Sequence, residues 1–257
     1  MSHAWFDRDG GAVRPRPHAR APWSEEMLHG RLLAGLVART VEAEHLEQGW
    51  VPARLTIDMF RSPPMEPVAT SAERIRDGGR VRVVDVSQEC GGREVARARV
   101  LLLKENGRPI EPVWANEPWD LPHPDEMAHL GSASTVEDDS DAIWQFRGEP
   151  GDYMYSAGPG RGWNRDNAEL VAGETVTPFV RLATSADLAS PIANSQPKGL
   201  DFINADITLS IGRLPVGGWL GFETVFHRNA NGVSAASCIV HDLDGPIALS
   251  TVSSVLY

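Results

Sequence analysis

The sequence predicts an α+β protein in which one long helix followed by an antiparallel meander occurs twice. Three observations carry that expectation. Apolar residues recur at spacings of three and four between Glu25 and Glu47. Short runs of strand formers are separated by glycine turns. The second half of the chain also repeats the first at a nearly constant offset.

Within the helical stretch, Met27, Leu28, Leu32, Leu33, Leu36, Val37, Val41 and Leu46 make one apolar stripe. Ser24 offers an N-cap hydroxyl, and Met27 stands where a capping box would carry Glu. The run Ala53–Phe60 then reads as a strand. Val68–Arg76, Arg80–Glu89 and Glu94–Lys104 read as three more, turned by Asp77-Gly78-Gly79 and Gly91-Gly92. From Glu105 to about residue 140 the composition shifts to prolines, with an acidic cluster at Glu137-Asp138-Asp139. That segment reads as a linker with a solvated charge run. It divides the chain into units 1–104 and 141–257.

The second unit repeats the pattern. Ala53-Arg54-Leu55-Thr56 recurs as Ala205-Asp206-Ile207-Thr208 and Arg61 recurs as Arg213, both at an offset of 152. Gly217–Arg228, Gly232–Asp242 and Ile247–Leu256 rebuild the meander. The same offset sets a second helix, Thr177–Ala189, against the first and brings Asp187 opposite Gly35. Two such units are expected to join their sheets and place both helices against them.

Composition narrows the function. The chain has 257 residues, 42% hydrophobic and 23% charged, which is globular, and its apolar runs are strand-sized rather than membrane-spanning. A net charge of −11 argues against a nucleic-acid partner. Met1–Asp7 shows no basic region followed by an apolar stretch, so the expectation is a cytoplasmic protein without a secretory leader. The two cysteines, Cys90 and Cys238, stand outside any metal spacing and read as small buried hydrophobes; no metal or cofactor is expected.

The order helix, meander, linker, helix, meander resembles the double-hotdog acyl-CoA thioesterases, close to the bacterial acyl-CoA thioesterase II group. The matching residues are His29-Gly30-Arg31-Leu32-Leu33-Ala34-Gly35, Thr184-Ser185-Ala186-Asp187, Phe202-Ile203-Asn204-Ala205-Asp206-Ile207-Thr208 and Leu249-Ser250-Thr251-Val252-Ser253. The resemblance implies a tandem hotdog, two antiparallel sheets each wrapping a long central helix, and hydrolysis of a fatty acyl-CoA to free acid and coenzyme A. In the family a helix aspartate, a strand threonine and a last-strand glutamine position the hydrolytic water. Residue by residue, those places fall on Asp187, Asn204 and Ser253, so two of the three depart from the pattern.

A helix carboxylate entering an apolar cleft has the chemistry of a general base. Its plainer role is to cap or solubilise a helix. Asn204 reads equally as a structural hydrogen-bonding residue, and strand alternation turns only one of Ser253 and Ser254 inward. Arg61 and Arg213, at matching places, offer guanidinium groups for coenzyme A phosphates or plain surface charge. Gly35, with no side chain to activate water, is read as a substrate-binding position where the first unit supplies cleft walls, which points to one catalytic site per chain. His29 reads first as a packing or capping residue. Gly158–Trp163 lacks the GK[ST] of a phosphate loop and reads as a turn. Two alternatives stay open: a non-catalytic acyl-thioester binding protein, and a hotdog enoyl-CoA hydratase, although no Asp/His hydratase motif follows either helix. The expected partner is acyl-CoA, with further self-association possible through exposed sheet edges.

Overall fold

A computed structural model describes residues 3–128, 130, 142–149, 151 and 153–257. The acidic cluster Glu137-Asp138-Asp139 lies outside the described residues.

Fourteen strands make one sheet: β1 Ala4–Asp9, β2 Ala12–Pro15, β3 Trp50–Met59, β4 Val68–Asp77, β5 Val81–Cys90, β6 Arg93–Lys104, β7 Trp144–Arg147, β8 Arg161–Asp166, β9 Glu169–Val171, β10 Phe202–Asn204, β11 Asp206–Ile211, β12 Leu220–Ala230, β13 Val233–Asp242 and β14 Gly245–Leu256. Their spatial order is β9-β1-β2-β4-β5-β6-β3-β11-β14-β13-β12-β8-β7, with β10 beside β14. All pairings are antiparallel except β1 with β9. Three helices pack on the sheet: α1 Arg31–His45, α2 Pro178–Ser185 and α3 Ala189–Asn194, the last two joined by a 3-10 turn at Ala186–Leu188.

The two meanders meet at β3 and β11, where Thr56 pairs with Thr208, flanked by Leu55 with Leu209 and Ile57 with Ile207. A residue pairing with its own counterpart at the repeat offset is what a local two-fold axis through the seam requires. Hydrogen bonding therefore runs unbroken from one half to the other. In place of two sheets each wrapped around a long helix, the described residues form one continuous main sheet, and among them only the first helix is long.

Both helices differ from the sequence reading for local reasons. The apolar periodicity begins at residue 27, yet Ser24–Leu28 is a strand paired with Arg20–Ala21, and the Leu28 N–H donates to Pro63 O at 2.8 Å. The first helix starts only after Gly30, and Ser24 caps nothing. Leu32, Leu33, Leu36, Val37 and Val41 then sit at 1% exposure or less. Burying each such side chain is worth about 1.5–3 kcal/mol, which is why the helix holds without a capping side chain. The second helix is properly started by Thr177, whose Oγ1 accepts the Val180 N–H at 3.2 Å, followed by Pro178 in the first turn. It tightens at Ala186–Leu188 because Pro191 has no N–H to give the Asp187 carbonyl and its ring crowds that carbonyl. Ser250 of β14 pins the turn to the sheet, donating to Ala186 O at 2.8 Å.

The N-terminal hairpin β1–β2 and the segments β7–β9 carry little apolar alternation, and the sequence reading contained none of them. β1 joins the parallel strand β9, so the start of the chain lies against its second half. Trp144, Phe146 and Tyr153 are largely inside, whereas Tyr155 is exposed. Gly158–Trp163 is part turn, part strand.

α1 crosses α2 at Gly35. A Cβ there would run into Thr184 Oγ1 and press on both Leu170 methyl groups, and Thr184 is held by its own bond to Val180 O at 2.7 Å. Gly35→Val is therefore expected to lower stability by roughly 1–3 kcal/mol, the usual cost of overpacking. In a thermal-melting double-mutant cycle, adding Thr184→Ala should recover part of that loss. Strict additivity of the two changes would show that the crossing is not the point of conflict.

Candidate active site

The second helix delivers Asp187 into a cleft of about 210 Å³ at the open end of the helix pair. The cleft is walled by Trp23, Met27, Met59, Ile203 and Val255, with His29, Gly30, Arg61 and Asn204 among its polar lining. Asp187 itself is only 7% exposed, because the 3-10 turn directs it under the β10–β14 edge. Asn204, the last residue of β10, donates from Nδ2 to Asp187 Oδ1 at 2.7 Å. The chain then breaks from β10 into β11 at Ala205, whose N–H donates to Ser253 O at 2.8 Å and whose carbonyl accepts from Met59 N at 2.8 Å. Those two bonds fix Asn204 in register over the aspartate.

His29 enters from the opposite side. It sits between the Ser24–Leu28 strand and α1, its N–H donating to Ala19 O at 2.9 Å, and its Nδ1 lies 3.8 Å from Asp187 Oδ2. That separation is beyond hydrogen-bond range. The imidazole is also uncharged at neutral pH, since burial, reinforced by the neighbouring Arg31 charge, pushes it down to about 3. The contact is a neutral ring beside a carboxylate, not an ion pair.

Burial lifts the Asp187 carboxyl above the ordinary aspartate range; the Asn204 hydrogen bond and the Arg31 charge pull it down without cancelling that effect. A carboxylate shifted upward, one bond from an amide and close to a neutral imidazole, is equipped to take a proton from water. The first turn of α1, with Gly30 in the cleft lining, directs the positive end of its dipole at the same space.

Arg31 lies behind this group, 0% exposed. Its guanidinium rests 3.6 Å from the Trp144 ring centroid and 4.3 Å from that of Trp5, and Nη1 donates to Asp166 Oδ2 at 2.8 Å. Each desolvated cation–π contact is worth up to about 2 kcal/mol.

The other sequence candidates fall elsewhere. Ser253 is exposed on β14, its N–H donating to Asp206 Oδ1; Ser254 is the inward residue and accepts from Asn194 Nδ2 at 3.1 Å. The catalytic place assigned to Ser253 is thus not supported by its position, because β14 alternation points Ser250, Val252 and Ser254 inward instead. Gly35 lines no part of the cleft; it is the helix-crossing residue. Arg213 is committed to Asp242 through two bonds of 2.5 and 2.6 Å, and Asp242 also accepts from Val216 N, so this guanidinium braces a loop. Arg61 is exposed on the cleft lining, with the Glu94 carboxylate near enough to feel its charge. Both cysteines are buried and unpaired, and burial pushes the Cys238 thiol up to about 12. A larger cavity of about 630 Å³ lies between residues 156–159, 193–197 and 224–229, apart from Asp187. Beside it the Asn194 side-chain oxygen, Oδ1, is shared by Ser234 Oγ at 2.8 Å and His227 Nε2 at 3.1 Å.

The sequence reading named the segment His29-Gly30-Arg31 and took the histidine as a packing or capping residue; the structure places its ring beside Asp187. Trp144 stood out only as part of the aromatic run Trp144, Phe146, Tyr153 and Tyr155, read as pocket lining or sheet core; its pairing with Arg31, Trp5 and Asp166 carried no signal, since 135 residues separate Arg31 from Asp166. Among the described residues no helix is long and apolar enough to cross a membrane.

No curated protein matches the chain in sequence. Solved structures match its fold. One is a conserved hot dog fold protein of unknown function from Alicyclobacillus acidocaldarius, with TM-score 0.74 and 15% identity over 98% of this chain and 95% of the other. A tesB protein of Mycobacterium avium subspecies paratuberculosis gives 0.69 and 12% over 98% and 96%. The acyl-CoA thioesterase II TesB2 of Mycobacterium marinum gives 0.61 and 14% over 98% and 93%. Residues 19–103 match the model of the acyl-CoA thioesterase N-terminal domain, and residues 118–255 that of the C-terminal domain. With most of its length matched in the order the family uses, the chain belongs to the acyl-CoA thioesterase family and is a thioester hydrolase.

Proposed function

We propose that the protein hydrolyses a fatty acyl-CoA to the free acid and coenzyme A in the cytoplasm, as a tandem hotdog of units 1–104 and 141–257, with Asp187 activating the water. The observation that carries this is the buried Asp187 carboxylate held by Asn204 and faced by His29 in one cleft. The acyl carbonyl lies in the cleft with the first turn of α1 toward its oxygen. Asp187 removes a proton from water as the water oxygen attacks the carbonyl carbon. The tetrahedral intermediate then expels the thiolate by breaking the C–S bond, and the proton held by Asp187 returns to sulfur. Asn204 keeps the carboxylate oriented, and the neutral His29 offers the water a second hydrogen-bonding partner. The cleft falls below the usual size of a small-molecule site, about 300–1,000 Å³, so it suits the thioester end while the nucleotide lies outside, within reach of Arg61. Self-association through the exposed sheet edges fits this reading.

Thiol release from short, medium and long acyl-CoAs tests the activity. Asp187→Asn should cut kcat roughly a hundredfold or more, as for loss of a positioned base. The same change should raise the melting temperature near neutral pH: a carboxyl raised on folding contributes stability below its unfolded pKa and loses it as pH rises through the folded one. Full turnover in the variant would remove Asp187 from the mechanism.

His29 gives the opposite sign. Its folded pKa is depressed to about 3, so its contribution to stability is present above the unfolded value of 6.5 and is lost as pH falls toward 3. Denaturant melts between those limits should show a loss of stability on acidification that His29→Gln reduces. Equal slopes in the two proteins would exclude a neutral buried imidazole.

One site per chain is expected. Titration with a non-hydrolysable acyl-CoA analogue should give a stoichiometry near one, abolished or weakened by changes at Arg61 but not at Arg213. Two equivalent sites per chain would contradict the single cleft.

A further inference from the structure

We propose that Arg31 is the positioning residue of the hydrolytic site: clamped between Trp5 and Trp144 and balanced by Asp166, it presents a fixed cation behind the His29–Asp187 pair and holds the aspartate in its proton-accepting form.

The geometry leaves the guanidinium little else to do. It is fully buried, where an unneeded cation is costly. Its planar faces lie 3.6 and 4.3 Å from two indole centroids, a fit that an ammonium group does not reproduce. Only Nη1 is satisfied by a carboxylate, at 2.8 Å; Nε and Nη2 find no hydrogen-bond partner among the described residues. Asp166 is itself shared, accepting from Trp5 Nε1 at 3.1 Å and from Ala168 N at 3.0 Å. The cation is thus incompletely neutralised, and the surplus acts on what lies next to it. Trp144 stacks on Arg31 and meets His29 edge-on at 5.9 Å and 84°, so one ring spans the clamp and the site.

The charges around Asp187 can be named element by element. Arg31 comes from α1 and Asp166 from β8. Arg61 comes from the loop after β3, exposed at the cleft. Arg181 of α2 donates to the Asp166 backbone oxygen at 3.1 Å and so strengthens the positive side. His18 packs on the far face of Trp5 at 5.2 Å, and Asp206 spends its carboxylate on Ser253 N. Of these, Arg31 is the fully buried cation, where a charge acts with least screening. It stabilises ionised Asp187 and opposes protonation of His29, so both groups are held in the states that hydrolysis uses.

This inference rests on the reading of Asp187 as the base, and the experiment separates the two. The pH profile of kcat/KM and the carboxyl carbon titration of Asp187 by NMR are recorded for wild type, Arg31→Met, Arg31→Lys and Asp166→Asn. Arg31→Met should move both curves to higher pH, with a loss of roughly tenfold in kcat/KM at pH 6 and little at pH 9, as expected when a nearby opposite charge is removed. Arg31→Lys, which keeps the charge but not the planar fit between the two indoles, should move both curves in the same direction but less far. Asp166→Asn should move both to lower pH, an opposite shift that a merely structural role does not produce and that carries the test if Arg31→Met fails to fold. Unmoved carboxyl titration in Arg31→Met, or in Asp166→Asn where the former does not fold, overturns the proposal. A carboxyl titration that shifts while the rate profile stays fixed supports the coupling and overturns Asp187 as base.

Discussion

The crossing of α1 over α2 at Gly35 sets the distance on which the site depends. With no Cβ at that point, the two helices approach until Thr184 and Leu170 close over the gap. The start of the first helix is thereby carried alongside the tightened turn of the second, which brings His29 to Asp187. The seam of the sheet at Thr56 and Thr208 supplies the matching constraint below, since its register fixes how the two halves face each other. A shift at the crossing is felt at the carboxylate, because packed interiors transmit strain.

The site shows burial working against charge, with neither allowed to win outright. Desolvation raises the Asp187 carboxyl above the ordinary aspartate range, and the Asn204 hydrogen bond and the Arg31 charge limit that shift. The same desolvation strips His29 of its charge. Were the imidazole cationic, it would pair with the aspartate and quench it. Two residues of opposite charge preference are therefore both useful because their surroundings push them in opposite senses. The two tryptophans and Asp166 make this affordable for Arg31, which would otherwise be an uncompensated cation in the core.

The family's usual polar residues are replaced at two places in this chain, and the structure treats the two replacements differently. Asn204 still reaches the aspartate with a donor at 2.7 Å. At the last strand, the outward Ser253 cannot substitute for anything, while the inward Ser254 turns to Asn194 and Ser250 to the carbonyl beside Asp187. The last strand has kept the support of the turn. Direct contact with the carboxylate rests on Asn204 and, at longer range, His29.

The α+β class, the duplication, the meander strands and the helix carrying Asp187 were legible in the sequence, because each depends on periodicity or turn chemistry within a short window. Asp187 and Asn204 were named through the family resemblance, and the structure brings the two into hydrogen-bond contact. The start of α1 was misread because an amphipathic stripe continues through Met27 and Leu28, and only pairing with Arg20–Ala21 makes those residues a strand. Gly35 looked like a vacant catalytic position; its meaning is set by what lies across from it, which an offset between repeats does not contain. Arg213 and Arg61 are equivalent in sequence, and the two hydrogen bonds to Asp242 make a brace of Arg213, while Arg61 stays exposed on the cleft lining. The clamp on Arg31 was beyond reach altogether, since Trp5, Trp144 and Asp166 lie on three strands that do not announce themselves locally. Local chemistry fixed which elements form and which residue types they carry. Only the packing of distant strands decided which of those residues share a buried space, and burial is what gives them their chemistry.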